Sequence, residues 1–171
     1  MPPCREIVPL SPNLFRIRDL MLPSEGTMDV SECIRFAREN PVTYIATVEG
    51  NQPHVRAFAM WFADETGFYY HTGTGKRVWA QLQENPRVEL CFYSPGTPPA
   101  GKMMRVTGRV EILHDRSLGI RLLEERPWLT GIGVSGPDDP MLGIFRVTHG
   151  EVQFWTMENN MRERDAPRVK F

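Results

Sequence analysis

Between Pro53 and Phe92 the chain changes its hydrophobic period twice, and this constrains the fold more than any other stretch. Pro53 to Phe62 alternates as a strand that carries Arg56, and Asp64-Glu65-Thr66-Gly67 supplies a turn. Phe68 to His71 then returns as a further strand. The period next lengthens to that of a helix over Lys76 to Asn85, with Val78, Trp79 and Leu82 on one face and Pro86 as the stop. Arg87 to Tyr93 alternates again. A chain that runs strand, strand, helix, strand with connections this short has few ways to bury its apolar faces.

The segment between the second strand and the helix, His71-Thr72-Gly73-Thr74-Gly75-Lys76-Arg77, reads as an anion cradle. Thr72 and Thr74 bring hydroxyls, Gly73 and Gly75 allow close backbone approach, and Lys76 and Arg77 sit where a helix presents free N–H groups. A nucleoside-triphosphate loop is excluded, because Tyr70 stands where that pattern needs glycine and Arg77 where it needs Ser or Thr. A glycine-threonine connection alone is often only a connection, and Arg56 alone would read as a solvated face residue.

The rest of the chain extends the β reading. Asp29 and Glu32 open a helix that Asn40 and Pro41 stop, and Val42 to Val48 is a strand joined by a turn to Pro53 to Phe62. Lys102 to Leu113 is a long strand with a bulge or bend at Gly108, and Asp115 to Arg126 is a helix stopped by Pro127. Residues 130–140 form an exposed loop, and Met141 to His149 with Glu151 to Met157 form a hairpin about His149 and Gly150. The expected class is mainly β (α+β): a six- to seven-stranded antiparallel split barrel with a few short helices. Its domain spans residues 28–157, between an apolar, proline-rich arm over 1–27 and a solvated tail over 158–171 that holds Arg162, Arg164, Arg168 and Lys170.

A net charge of -1 supplies no basic field for non-specific nucleic-acid binding, so a nucleic-acid partner is not expected. Three cysteines without C-x-x-C spacing, and histidines scattered at strand ends, argue against a metal site and suit a reducing cytoplasm. No apolar run has membrane-spanning length, and the first residues lack a signal-peptide pattern. The expectation is a cytoplasmic protein without a membrane partner.

The ordered set Arg56 to Trp61, Tyr70-His71-Thr72, the basic helix start, Gln81 to Val88, Arg105-Val106-Thr107-Gly108 and Phe154-Trp155 resembles the pyridoxamine 5′-phosphate oxidase-like FMN-binding split-barrel family. The resemblance implies a homodimer with FMN in clefts between the subunits. By position it gives Arg56 to the FMN phosphate and runs the backbone of Ala57, Phe58, Ala59, Met60 and Trp61 beside the flavin ring. His71, Thr72 and Thr74 fall near the ribityl-phosphate, with Lys76 and Arg77 at the basic helix start. Met103 stands where the oxidase has a flavin-contacting glutamine, and Trp155 matches a tryptophan reaching the cofactor from the partner subunit. No catalytic residue is implied.

The family pattern is broken near the C-terminus. Where the oxidase grips its substrate's phosphate with arginine and histidine, this chain has Asn159, Asn160, Met161, Arg162, Glu163 and Arg164. The function expected from the resemblance is an FMN-dependent oxidoreductase that uses NAD(P)H, without pyridoxamine phosphate as its substrate. The alternative is a flavin- or haem-binding split barrel without turnover.

Overall fold

A computed structural model describes residues 29–96 and 101–171; the expected N-terminal arm lies outside them. Helix α1 (Val30–Glu39) starts at Asp29, whose carboxylate accepts from the Glu32 N–H at 2.8 Å, and ends at Asn40 before Pro41. Glu32 does not complete a capping box; its side chain pairs with Lys102 at 3.1 Å. Strands β1 (Val42–Glu49) and β2 (Gln52–Ala59) form a hairpin. The short β3 (Phe62–Asp64) and β4 (Gly67–Gly73) lead into α2 (Arg77–Glu84), β5 (Arg87–Ser94) and β6 (Lys102–Leu113). Helices α3 (Arg116–Glu125) and α4 (Trp128–Gly131) precede β7 (Leu142–Trp155) and β8 (Arg168–Lys170).

All strand pairs are antiparallel, in the order β2-β1-β5-β6-β7-β4-β3, with β8 added beside β7. The two edge strands of that order, β2 and β3, are joined in the chain by Met60 and Trp61 alone. The Met60 N–H donates to Pro41 O at 2.8 Å, continuing the β2 ladder, and the Trp61 N–H donates to Tyr69 O at 2.8 Å, beginning the β3 ladder. The sheet is thereby curled into a split barrel around Ile45, Tyr70, Phe92, Met104, Val106 and Phe145, each 0% exposed. The sequence places Pro53 to Phe62 in one strand; the corner at Met60-Trp61 divides it.

The expected hairpin about His149 and Gly150 is instead one strand. β7 pairs with β6 on both sides of these residues, over Ile144–Thr148 and Glu151–Trp155, with a register shift between Thr107 and Arg109 that matches the expected irregularity at Gly108. His149 takes φ 51, and a Cβ on Gly150 would lie 1.8 Å from Thr107 O. The two residues therefore serve close strand approach at a bulge, which in sequence has the same signature as a turn.

The expected tail also joins the fold. β8 pairs Val169 with Val152, Ala166 is buried, and the Phe171 ring packs edge-on against Phe68 at 5.4 Å. Among the described residues no helix is long and apolar enough to cross a membrane.

Candidate functional site

The strand-to-helix junction between β4 and α2 carries positive charge that its surroundings do not neutralise in the usual way. Lys76 occupies the N-cap of α2 without a side-chain cap, and the first turn holds no acidic residue. Lys76 and Arg77 are both exposed there. Arg77 pairs with Glu49, but Lys76 has no ion pair among the described residues, and a cation at a helix N-terminus opposes the helix dipole, so an anion at this spot would offset its charge.

Arg56, on β2, reaches toward the same helix. Its Nη1 donates to Thr47 Oγ1 at 2.7 Å and its Nη2 to Gln81 Oε1 at 2.9 Å. Both acceptors are neutral, and burial pulls the guanidinium pKa down from its ordinary value. Gln81, 2% exposed, also donates from Nε2 to Glu49 at 2.8 Å, and Glu49 accepts from Arg77 at 2.8 Å. The bonds from Gln81 and Arg77 hold the Glu49 carboxyl below its usual range. One network therefore ties Arg56 to Arg77, with a single carboxylate placed on the arginine that lies nearer solvent. Gln81, Thr47 and Glu49 are site residues that the sequence reading missed; Gln81 lies among the residues quoted for the family resemblance but reads as an ordinary helix position.

The two threonines differ. The Thr74 hydroxyl donates to Pro140 O at 2.8 Å, so its proton is committed within the protein. Thr72 is 4% exposed and its Oγ1 is buried without a partner among the described residues. A buried hydroxyl left unpaired costs about 1–3 kcal/mol, which a ligand oxygen would recover. Gly73 and Gly75 have ordinary space around them: an added Cβ would meet nothing nearer than 3.8 Å at Gly73 and 3.5 Å at Gly75. The protein itself does not demand bare Cα atoms there.

His71 points away from the barrel interior, toward α3 and α4. Its Nε2 lies 2.6 Å from Arg126 Nη1, and Arg126 Nη2 also donates to Met60 O at 2.9 Å. Burial first, then the charges of Arg126 and Lys76, push the His71 pKa down to about 4. Arg126, the C-cap of α3, is a further residue that sequence spacing did not reveal.

The β2 segment expected beside a ring divides between core and edge. Phe58 packs edge-on against Tyr70 and Phe145, each at 6.1 Å, and Met60 is 3% exposed. Trp61 donates from Nε1 to Glu125 at 2.6 Å. These three side chains are occupied with the protomer's own packing. Because β2 pairs only with β1 among the described residues, alternate backbone groups face outward. Met60 N–H bonds Pro41 O, so by alternation Phe58 and Arg56 face β1, whereas Ala59, Ala57 and Val55 turn their N–H groups to the open edge. Pro53 falls on the outward set, where no donor is needed.

Met103 and Trp155 are cross-strand partners on β6 and β7. In the sheet order they lie three and four strands from β2. The outer face of β2, β1 and β5 exposes Val55 (67%), Val42 (56%), Tyr93 (49%) and Tyr44 (47%). A separate cavity of about 560 Å³ opens between Trp79, His114, Pro140 and Gly143 and includes only Thr74 of the expected site residues.

A family profile described as pyridoxamine 5′-phosphate oxidase matches residues 30–156. The pyridoxine/pyridoxamine 5′-phosphate oxidase of Bordetella pertussis is 24% identical over 153 residues, covering 74% of this chain and 71% of that protein. Among solved structures, a NimC/NimA family protein from Clostridium acetobutylicum superposes with a TM-score of 0.63 at 29% identity, covering 74% of this chain and 85% of that one. A FAD-binding protein from Mesorhizobium loti shares the fold with a TM-score of 0.53 at 23% identity, covering 70% of this chain and 87% of that one.

Proposed function

Because this chain belongs to the pyridoxamine 5′-phosphate oxidase family, we propose that it is a homodimeric FMN-dependent oxidoreductase that draws electrons from NADH or NADPH. The observation that carries the flavin reading is the junction before α2: two cations on an uncapped helix start, Arg56 bonded only to neutral acceptors, and the unpartnered hydroxyl of Thr72. A flavin phosphate complements all three. The FAD-binding neighbour and the oxidase relatives support a flavin; the charge at the start of α2 supports a terminal phosphate, as the mononucleotide carries.

In this reading Arg56, Lys76 and Arg77 supply charge to the phosphate and Thr72 a hydrogen bond. The Ala59 N–H, on the free edge of β2, orients the ring. When bound, the flavin accepts and returns a hydride, chemistry that needs no nucleophilic side chain. The protein binds, orients and excludes water. The exposed face of Val42, Tyr44, Val55 and Tyr93 supplies the apolar surface for a second copy, which would bring its own Met103 and Trp155 to the ring.

A visible spectrum with anaerobic NADH and NADPH titration tests the proposal. Bleaching of a bound flavin is expected. A flavin that stays oxidised would favour a binding protein without turnover, and a chain that holds no flavin after reconstitution would overturn the reading.

A further inference from the structure

Arginine can only donate hydrogen bonds, so the 2.6 Å approach of Arg126 Nη1 to His71 Nε2 requires that nitrogen to accept. The ring proton then resides on Nδ1, which has no hydrogen-bond partner among the described residues. A second proton on the ring would place two cations in contact. Arg126 is itself fixed by its bond to Met60 O at the barrel corner.

We propose that Arg126 is a positioning residue: it holds His71 as the neutral tautomer with its proton on Nδ1, so that this edge of the strand-to-helix junction offers a bound molecule a hydrogen-bond donor rather than an acid. The complementary group is an oxygen acceptor, such as a carbonyl, carboxylate or phosphate oxygen.

The surroundings favour the same state. Arg126 approaches from the end of α3 and Lys76 from the start of α2, and both charges disfavour an imidazolium, as does burial. The Trp128 ring on α4 lies 6.0 Å from His71 and adds no charge. Glu125, the carboxylate beside Arg126, is held by Arg121 at 2.7 Å and by the Trp61 indole. On β7, the strand paired with β4, Ile144 stands opposite His71, and Arg146 two positions on is bound to Glu111. Among the described residues no carboxylate bonds His71 to favour its charged form.

The inference concerns a tautomer of the protein alone and does not depend on flavin being the ligand. Imidazole nitrogen NMR on the full chain tests it, with the His71 signals assigned by His71→Gln. In the wild type Nδ1 should carry the proton and Nε2 none, with no change from pH 5.5 to 8.5. Inorganic phosphate added to the flavin-free protein should shift the Nδ1 signal. In Arg126→Met the ring should titrate at least one pH unit higher than in the wild type, whereas Arg126→Lys, which keeps a cationic donor, should retain part of the depression. A wild-type ring that titrates near pH 6.5, or one with its proton on Nε2, overturns the proposal even if the variants fail to fold. An Nδ1 signal unmoved by phosphate overturns its ligand-facing part. Neither result bears on flavin content, which absorbance reads separately.

Discussion

Arg56 on β2 and Gln81 on α2 meet at 2.9 Å, so the cation of the edge strand is anchored to the helix by a neutral amide. A carboxylate in that place would already satisfy the arginine's charge. The amide fixes the guanidinium and leaves its charge for something else. Replacing Gln81 with Leu removes acceptors from Arg56 and Thr47 and a donor from Glu49, at a cost of about 1–3 kcal/mol. Urea denaturation should show that loss, together with reduced flavin retention.

Thr72 offers a change whose two effects have opposite signs. Thr72→Val keeps the shape and removes a buried hydroxyl that has no partner. The flavin-free protein should gain about 1 kcal/mol in urea denaturation, while FMN binding weakens about tenfold. Loss of stability without loss of binding would mean the hydroxyl serves the fold.

His71 gives the stability a predictable pH dependence. Its folded pKa of about 4 lies below the unfolded value of about 6.5. The unfolded chain therefore binds more protons, and the contribution is fully present above about pH 6.5 and is lost as pH falls toward 4. Allowing for partial solvent screening, the loss is about 1–2 kcal/mol. Most carboxylates begin to matter only below about pH 5, so denaturation between pH 6.5 and 5 should show the slope, and His71→Gln should flatten it.

The reading of His149 and Gly150 shows where the sequence misleads. Alternation, turn chemistry and proline stops located α1, α2, α3 and the major strands within a few residues, because each is set by local periodicity. Whether a glycine marks a reversal or a bulge depends on a strand distant in sequence, here Thr107 on β6. The division at Met60-Trp61 depends likewise on both barrel edges, and β8 is too short and too charged to show a period. At the site, Arg56, Lys76 and Arg77 stand out by charge. Gln81 carries no charge and Arg126 lies far along the chain, and only folding brings them to Arg56 and His71. Gly150→Ala should therefore cost about 3 kcal/mol by forcing a methyl into Thr107 O, whereas Gly136→Ala, with nothing within 4 Å, should be nearly neutral. Paired urea melts check this.

The apolar outer face predicts association. Tyr44→Glu with Val55→Glu would place charges on residues 47% and 67% exposed in the single chain, so the monomer should keep its fold. Sedimentation should show a dimer for the wild type and a monomer for the variant. Flavin should be lost along with the dimer, because the proposed site takes Met103 and Trp155 from the second copy.

Whether the charged junction exists for a phosphate is read most directly by comparing FMN with riboflavin, which has the same ring and lacks that group. Fluorescence titration of the flavin-free protein should give FMN at least one hundredfold tighter binding than riboflavin, about 2.7 kcal/mol. Arg56→Ala combined with Lys76→Ala should erase most of the difference while the chain still folds. Equal affinities for the two flavins in the wild type, or a preference untouched by the double substitution, would contradict the account.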